Sequence, residues 1–129
     1  PLLQPVRAGE EYTVGGFRFS IRPAAGVPKR LGGDPSTEFV DADRLGGSLV
    51  LRSWREGDWF MPLGLGARKK LSDFFTEEKI PVYRKPAVPI LESDGAIVWV
   101  CGRRLDDRFK ITPRTTRVVR LQYSPLTRS

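Results

Sequence analysis

The sequence predicts an α+β domain dominated by antiparallel sheet, arranged as a β-sandwich or a partly open barrel with one or two short helices. Seven or eight short β-rich runs are separated by turn signals built from Gly, Pro, Asp and Ser. One segment, from Ser72 onward, has the acidic start and basic end typical of a helix. The length of 129 residues fits one domain, so we expect residues 1–129 to form a single domain.

Residues 1–38 are predicted to hold a hairpin and a loop, and residues 39–123 the core of the domain. Apolar and polar residues alternate on either side of Gly15-Gly16, which predicts a hairpin of Glu11–Val14 and Phe17–Arg22. The breaks at Ala24–Pro28 and Gly32–Ser36 then bracket a loop rich in Gly and Pro. Further strands are predicted at Thr37–Asp41, Ser48–Trp54, Phe109–Thr112 and Arg117–Tyr123.

The predicted helix and a second hairpin lie in the middle of the chain. Ser72 is predicted to be the helix N-cap, and Ile80-Pro81 is predicted to end the helix. A short second helix is predicted at Val82–Lys85. The turn signal Ser93-Asp94-Gly95 predicts a hairpin formed by the β-rich runs Val88–Glu92 and Ala96–Cys101.

Residue types that are rare in the chain restrict its chemistry. The absence of His excludes Ser-His and Cys-His nucleophile pairs, and the single cysteine, Cys101, excludes an internal disulfide and a multi-Cys zinc site. We therefore expect no catalytic residue, metal site or cofactor in this chain, and a buried Cys101. We also expect a cytoplasmic location, because a chain with one cysteine suits a reducing compartment, and no membrane contact, because no apolar run approaches 18 residues. The start at Pro1 and the position of the only methionine, Met61, indicate a piece of a longer protein.

Positive charge is concentrated in the second half of the chain. Residues 1–65 carry eight Lys/Arg and eight Asp/Glu, whereas residues 66–129 carry 14 basic and seven acidic side chains, which gives the net charge of +7. Such a field attracts polyanions such as nucleic acids. Charge alone also permits a solvated face without a partner, or an acidic protein as the partner.

Two basic clusters are the candidate binding residues. Arg68-Lys69-Lys70 comes directly before the predicted helix, whose N-terminal N–H groups favour an anion, so the three cations are expected to face one phosphate. The second cluster surrounds the pair Asp106-Asp107, which we interpret as a salt-bridge network that orders the arginines. The predicted RNA-binding residues are Arg68, Lys69, Lys70, Arg84, Arg103, Arg104, Arg108 and Lys110.

Other features of the sequence are weaker functional signals. Gly64–Lys70 lacks the spacing of a P-loop, and Pro35 removes an amide that a pyrophosphate loop at Gly32–Ser36 would need, so we expect no ATP binding by this chain. Most aromatic residues, including Trp99, are expected in the core. Trp59 is the aromatic most expected to be partly exposed, where a base could stack on it.

An ordered series of motifs resembles a known family. It begins with Leu51–Gly64, read as LRSWREGDWFMPLG, and continues through Lys69–Phe75 and Lys79-Ile80-Pro81. It ends with Val88–Leu91, Ile97–Gly102 and Arg104–Lys110. Between about Phe39 and Tyr123, this series resembles the C-terminal substrate-binding domain of the tRNA(Ile)-lysidine synthetase family.

The resemblance implies a fold, an activity of the parent enzyme and a set of partners. The implied fold is the sandwich shared with a domain of the phenylalanyl-tRNA synthetase β chain. The implied parent is a ligase that uses ATP, with Mg, to adenylate the wobble cytidine of tRNA(Ile), after which lysine displaces AMP. That chemistry belongs to an N-terminal domain, while the C-terminal domain helps to hold the acceptor-stem region of the tRNA. The alternative is a structural module that docks on the catalytic domain or forms a homodimer.

Overall fold

The computed structural model describes residues 1–29, 31 and 33–126. Eleven short strands and one α-helix alternate with three 3-10 helices, at Ala42–Arg44, Val82–Ala87 and Asp107–Phe109. In chain order the elements are β1 (Leu3–Val6), β2 (Glu11–Val14), β3 (Phe17–Pro23), β4 (Thr37–Asp41), β5 (Leu49–Arg52), β6 (Trp59–Phe60), β7 (Lys69–Lys70), α1 (Leu71–Glu77), β8 (Ile90–Ser93), β9 (Ala96–Val100), β10 (Arg104–Leu105) and β11 (Val118–Pro125).

The strands form two antiparallel sheets and a small ribbon. Sheet A has the order β1-β5-β8-β9-β10, sheet B has the order β2-β3-β11-β4, and β6 pairs with β7. Both predicted hairpins are confirmed, as β2–β3 and β8–β9. The first turn uses Gly15 and Gly16 at φ of +58° and +84°, the left-handed conformations that a two-residue hairpin turn requires. Gly32, the first residue of the predicted second break, lies outside the described residues.

Three layers bury the apolar residues, in agreement with the predicted α+β sandwich. Sheets A and B face each other across one cluster, in which the rings of Phe19 and Trp99 lie 6.3 Å apart. The other face of sheet A is covered by α1, whose Phe74 and Phe75 pack with Ile97. The buried residues include Trp99, Phe74, Ile97 and Cys101, as expected.

No helix in the described part of the chain combines the length and the hydrophobicity needed to cross a bilayer.

A β-bulge in β9 explains how one strand serves both layers. Leu91 pairs with Trp99 while Glu92 pairs with Ile97, so Val98 is an extra residue on β9. Val98 and Trp99 therefore both join the cluster between the sheets, whereas Ile97 and Val100 face the helix. The apolar run of β9 has no exposed side because each of its faces is covered.

Two predictions about local structure are wrong. The helix begins at Leu71 rather than after Ser72, and its N-cap, Lys70, makes no side-chain capping hydrogen bond. The carbonyl of Ser72 instead accepts from the Thr76 hydroxyl, one turn later. The strand predicted at Phe109–Thr112 is absent from the described structure, where a 3-10 turn leads to a single bridge between Lys110 and Val40. The predicted second helix is confirmed as the 3-10 helix at Val82–Ala87.

Asp106 joins the loop at residues 61–68 to the segment that follows β10. The Asp106 side chain is fully buried and accepts hydrogen bonds from the backbone N–H groups of Met61 and Arg108, both at 2.8 Å. It also forms an ion pair with the Arg108 guanidinium. A bridge between Pro62 and Asp106 adds backbone contact between the same two segments. One carboxylate thus fixes the relative position of both segments.

Asp106→Ala is expected to lower the free energy of unfolding by about 3 kcal/mol, because buried N–H donors and a guanidinium lose their charged acceptor. Urea denaturation of the 129-residue chain would measure the change. Asp107→Ala is the matched control, since the neighbouring Asp107 forms a partly exposed pair with Lys110. That pair should contribute at most about 1 kcal/mol. Equal losses in the two variants would contradict the assignment of Asp106 as the anchor.

Glu38 lies on the edge strand of sheet B with its side chain toward the core. It pairs in register with Leu121, a core residue, and it precedes the fully buried Val40 by two positions on the same face. Burial, with a smaller contribution from the charge of Asp34, raises the pKa of Glu38 to about 7. The folded state therefore retains a proton that the unfolded chain has lost above its ordinary pKa of 4.5.

This difference predicts that stability falls as pH rises from about 4.5 to about 7, because only the native state holds the Glu38 proton in that window. Glu38→Gln should flatten this dependence, so that its melting temperature exceeds that of the unmodified chain at pH 8 by more than at pH 5. Thermal melts across that range would test this, with Glu10→Gln, at an exposed position, as the control. A Gln variant with an unchanged pH dependence would show that Glu38 ionises freely.

Candidate nucleic-acid interface

Trp59 lies at the centre of a group of cations in the second half of the chain. It belongs to β6, and its partner in the ribbon is Lys70 of β7. Side chains directly opposite each other in an antiparallel pair are neighbours on one face. The guanidinium carbon of Arg68 lies 4.0 Å from the centroid of the Trp59 ring, and that of Arg108 lies 4.9 Å from it. We call Trp59, Arg68, Lys70 and Arg108 the Trp59 cluster.

Stacking on the indole holds both guanidinium groups in defined places. A guanidinium over an aromatic ring is attracted by the ring quadrupole. Trp59 is partly exposed, as expected from the sequence. Its ring, however, is already in contact with two arginines. The structure therefore gives Trp59 a role in placing cations.

Arg108 is the more rigid of the two stacked arginines. Its Nε donates to Oδ1 of Asp106 and its Nη2 donates to Oδ2, both at 2.9 Å. These hydrogen bonds, followed by the charge of Asp106, outweigh burial and raise the pKa of Arg108. A guanidinium has five N–H donors in a planar fork, and this pairing uses the Nε–Nη2 edge. The Nη1 edge remains for another acceptor.

Arg104 lies beside the same loop. Its Nη1 donates to the carbonyl of Leu63 at 3.3 Å, and its guanidinium carbon is 6.0 Å from the Phe74 ring. Because Asp106 attaches this loop to the segment after β10, Arg108 reaches the Trp59 ring that Arg68 also contacts, while Arg104 lies beside Leu63 of the loop. Residues that are some 40 positions apart in sequence thus contribute to one surface.

Arg68, Lys69 and Lys70 line one groove at the start of the helix, and the expectation that they face one anion there stays a prediction. Lys69 and Lys70 are successive residues of β7, so their side chains leave the strand on opposite sides although both reach the same groove. Lys69 forms an ion pair with Glu77 of α1. The groove of about 420 Å³ beside these cations is also lined by Asp73 and Glu77, which oppose an anion there.

The remaining predicted residues lie apart from the Trp59 cluster or are neutralised. Lys110 forms an ion pair with Asp107, and with the pair Arg108–Asp106 this confirms the predicted salt-bridge network. Arg84 lies on the 3-10 helix at Val82–Ala87. Arg103 lines a separate cavity of about 310 Å³ together with Tyr123. Among the residues that the structure describes, neither Arg84 nor Arg103 shares a hydrogen bond or ring contact with the cluster.

The sequence predicts the cations but not the side chains that organise them. A second groove, of about 350 Å³, is lined by Trp59, Arg108, Asp58 and Arg52. Arg52 is buried and paired with both Asp58 and Glu92, so its charge is used within the fold. The contact of Trp59 with the arginines had no signal in the sequence, because the two-residue strands β6 and β7 are too short to show an alternation of apolar and polar residues.

Over residues 1–29, 31 and 33–126, no three potential ligand side chains are grouped to hold a metal.

Comparison with known proteins identifies the family to which this surface belongs. The family described as the TilS substrate C-terminal domain matches residues 49–123, which is more than half of the chain. A tRNA(Ile)-lysidine synthase of Parabacteroides distasonis is 46% identical over 85 residues, covering 66% of this chain and 19% of the relative. One of Geobacter sulfurreducens is 32% identical over 110 residues, covering 84% of this chain and 23% of the relative.

A solved structure extends the similarity to the whole fold. It is a crystal structure of a TilS C-terminal domain, 25% identical to this chain, with a TM-score of 0.86 and 98% of each chain covered. The chain spans about a fifth of the length of the curated relatives that it matches. The order of the motifs, the two packed sheets and the family match agree, and the chain belongs to the family of C-terminal domains of tRNA(Ile)-lysidine synthase.

Proposed function

We propose that this chain is the tRNA-binding part of a longer tRNA(Ile)-lysidine synthase and helps to hold the acceptor-stem region of tRNA(Ile). In this proposal an N-terminal domain outside the chain carries the ATP-dependent ligase chemistry, with Mg and lysine, in the cytoplasm. Residues 1–129 act as one domain. This is supported by the pairing of β1 with β5 and of β3 with β11, which joins the first 23 residues to both sheets.

The observation that carries the proposal is a set of cations whose charge is not used within the fold. Six of the described arginines and lysines form an ion pair with an acid, which neutralises or anchors them: Arg22, Arg52, Lys69, Arg108, Lys110 and Arg117. Double-stranded RNA is recognised largely through its phosphates and shape, which such cations can contact without reading bases. Five of the eight predicted residues form no ion pair with any described acid: Arg68, Lys70, Arg84, Arg103 and Arg104.

A second candidate function, docking on the catalytic domain, is favoured by one observation. The 3-10 helix at Val82–Ala87 presents Val82 and Tyr83 to solvent, with 77% and 78% of their surface exposed. Adjacent exposed apolar side chains of this size are typical of contact sites between proteins. Arg84 follows them directly, so this segment would serve an interface with a protein as well as one with RNA.

The test of tRNA binding is a titration of a tRNA(Ile) transcript with the 129-residue chain at several salt concentrations. Affinity should fall steeply between about 50 and 200 mM salt, because each phosphate contact releases counterions. Replacing Arg68, Lys70 and Arg104 together by Gln should weaken binding and flatten the log–log salt slope by about two to three units.

The matched control removes the same charge elsewhere. Arg7, Arg18 and Arg44 are exposed and belong to the neutral half of the chain, so their replacement by Gln should change the slope much less. Equal losses in the two triple variants would show that net charge, rather than this surface, attracts the tRNA. Absence of binding at the lowest salt concentration would overturn the proposed function and leave docking as the function to test.

A further inference from the structure

We propose that the Trp59 cluster is an arginine-specific phosphodiester site, in which Trp59 and Asp106 position two guanidinium groups for hydrogen bonding. This inference rests on the proposed function and adds the chemistry by which the surface would grip RNA. In it, Arg68 and Arg108 contact phosphate oxygens. Trp59 and Asp106 are positioning residues that do not touch the RNA backbone themselves.

The separation of the two guanidinium groups suits neighbouring phosphates. Both guanidinium carbons lie within 5 Å of one ring centroid, so they are at most about 9 Å apart. Successive phosphates of one RNA strand are separated by a single nucleotide, a distance of this order, so the two guanidinium groups can contact neighbouring phosphates of one strand. Lys70, opposite Trp59 in the ribbon, adds a third positive charge to the same place.

The hydrogen-bond donors that remain free are those a phosphate needs. Arg108 uses its Nε–Nη2 edge on Asp106 and keeps its Nη1 donors. Arg68 is exposed and forms no hydrogen bond or ion pair with any described residue, so its whole fork is available. A planar fork already held by stacking loses less freedom on binding than a free side chain. Lysine supplies charge but no such fork.

The position of the indole also determines what the site can recognise. Two arginines contact the ring, so a base cannot take the same places without displacing a guanidinium. Both grooves beside the cluster contain carboxylates that repel phosphate, Asp58 and Asp94 on the Arg108 side and Asp73 and Glu77 on the Arg68 side. The RNA backbone is therefore expected at the free edges of the arginines and not inside either groove. Recognition of this kind depends on phosphate geometry and not on base sequence.

The test replaces the guanidinium groups of Arg68 and Arg108 by lysine ammonium groups, which keep the charge but lack the planar set of donors. In the 129-residue chain, Arg68→Lys with Arg108→Lys should lower affinity for a tRNA(Ile) transcript about tenfold while leaving the salt slope close to its original value. Arg7→Lys with Arg18→Lys, at exposed positions outside the cluster, is the control and should leave affinity unchanged. Trp59→Leu should weaken binding to a similar degree, and Trp59→Phe, which retains a ring face, should restore part of the loss.

The outcomes separate this inference from the function on which it rests. If the lysine variants bind normally while the Gln triple variant binds weakly, the tRNA surface stands and the arginine-specific site is overturned. If no variant alters binding, or the chain does not bind tRNA, both are overturned and an acidic protein surface becomes the partner to test. Arg68→Lys alone keeps the test valid should Trp59→Leu or Arg108→Lys unfold, because Arg68 is exposed and lies outside the Asp106 network.

Discussion

One buried carboxylate, that of Asp106, sets the geometry on which the candidate interface depends. Taking a carboxylate out of water is unfavourable unless its oxygens are hydrogen-bonded, and here two backbone amides and one guanidinium satisfy them. The same bonds attach the loop after β6 to the segment after β10. Because Arg108 is both a partner of Asp106 and a neighbour of Trp59, the stability of the loop and the placement of the cations have a common cause.

Sheet A is the second constraint, since it is covered on both faces. The sandwich cluster takes Leu51 and Leu91, whereas the helix-side cluster takes Ile90 and Ile97. A charged residue buried on such a sheet needs ion-pair partners that are close to it, and Arg52 has two, Asp58 and Glu92. Burial opposes the charge of Arg52, but hydrogen bonds from its guanidinium to Asp58 and Glu92 more than offset this and raise its pKa. The basic residues of this domain thus fall into two kinds, those that stabilise the fold and those that face solvent.

Features that depend on neighbouring residues could be predicted from the sequence, and features that depend on distant pairing could not. The hairpin at Gly15-Gly16 and that at Asp94-Gly95 have local turn signals, and both are present. β1 has no such signal, because it forms only by pairing with β5, about 46 residues later. Ser72 resembled an N-cap, but the pairing of β7 with β6 carries the chain into the helix one residue earlier. The cations of the candidate site were visible as residue types, whereas the division between paired and unpaired ones required the positions of Glu77, Asp106 and Asp107.

The inward-facing Glu38 has a consequence for how copies of this chain meet one another. β4 is an edge strand of sheet B, and its outer side is covered in part by the bridge between Val40 and Lys110, so only its remaining outer backbone groups could pair with a strand from another molecule. A charged side chain directed inward at an edge opposes such addition, because a new strand would bury the charge further. Below pH 7 Glu38 takes up a proton, and this barrier to intermolecular strand pairing weakens. We therefore expect that mildly acidic solutions, which favour the isolated fold, also favour its self-association through the uncovered part of β4.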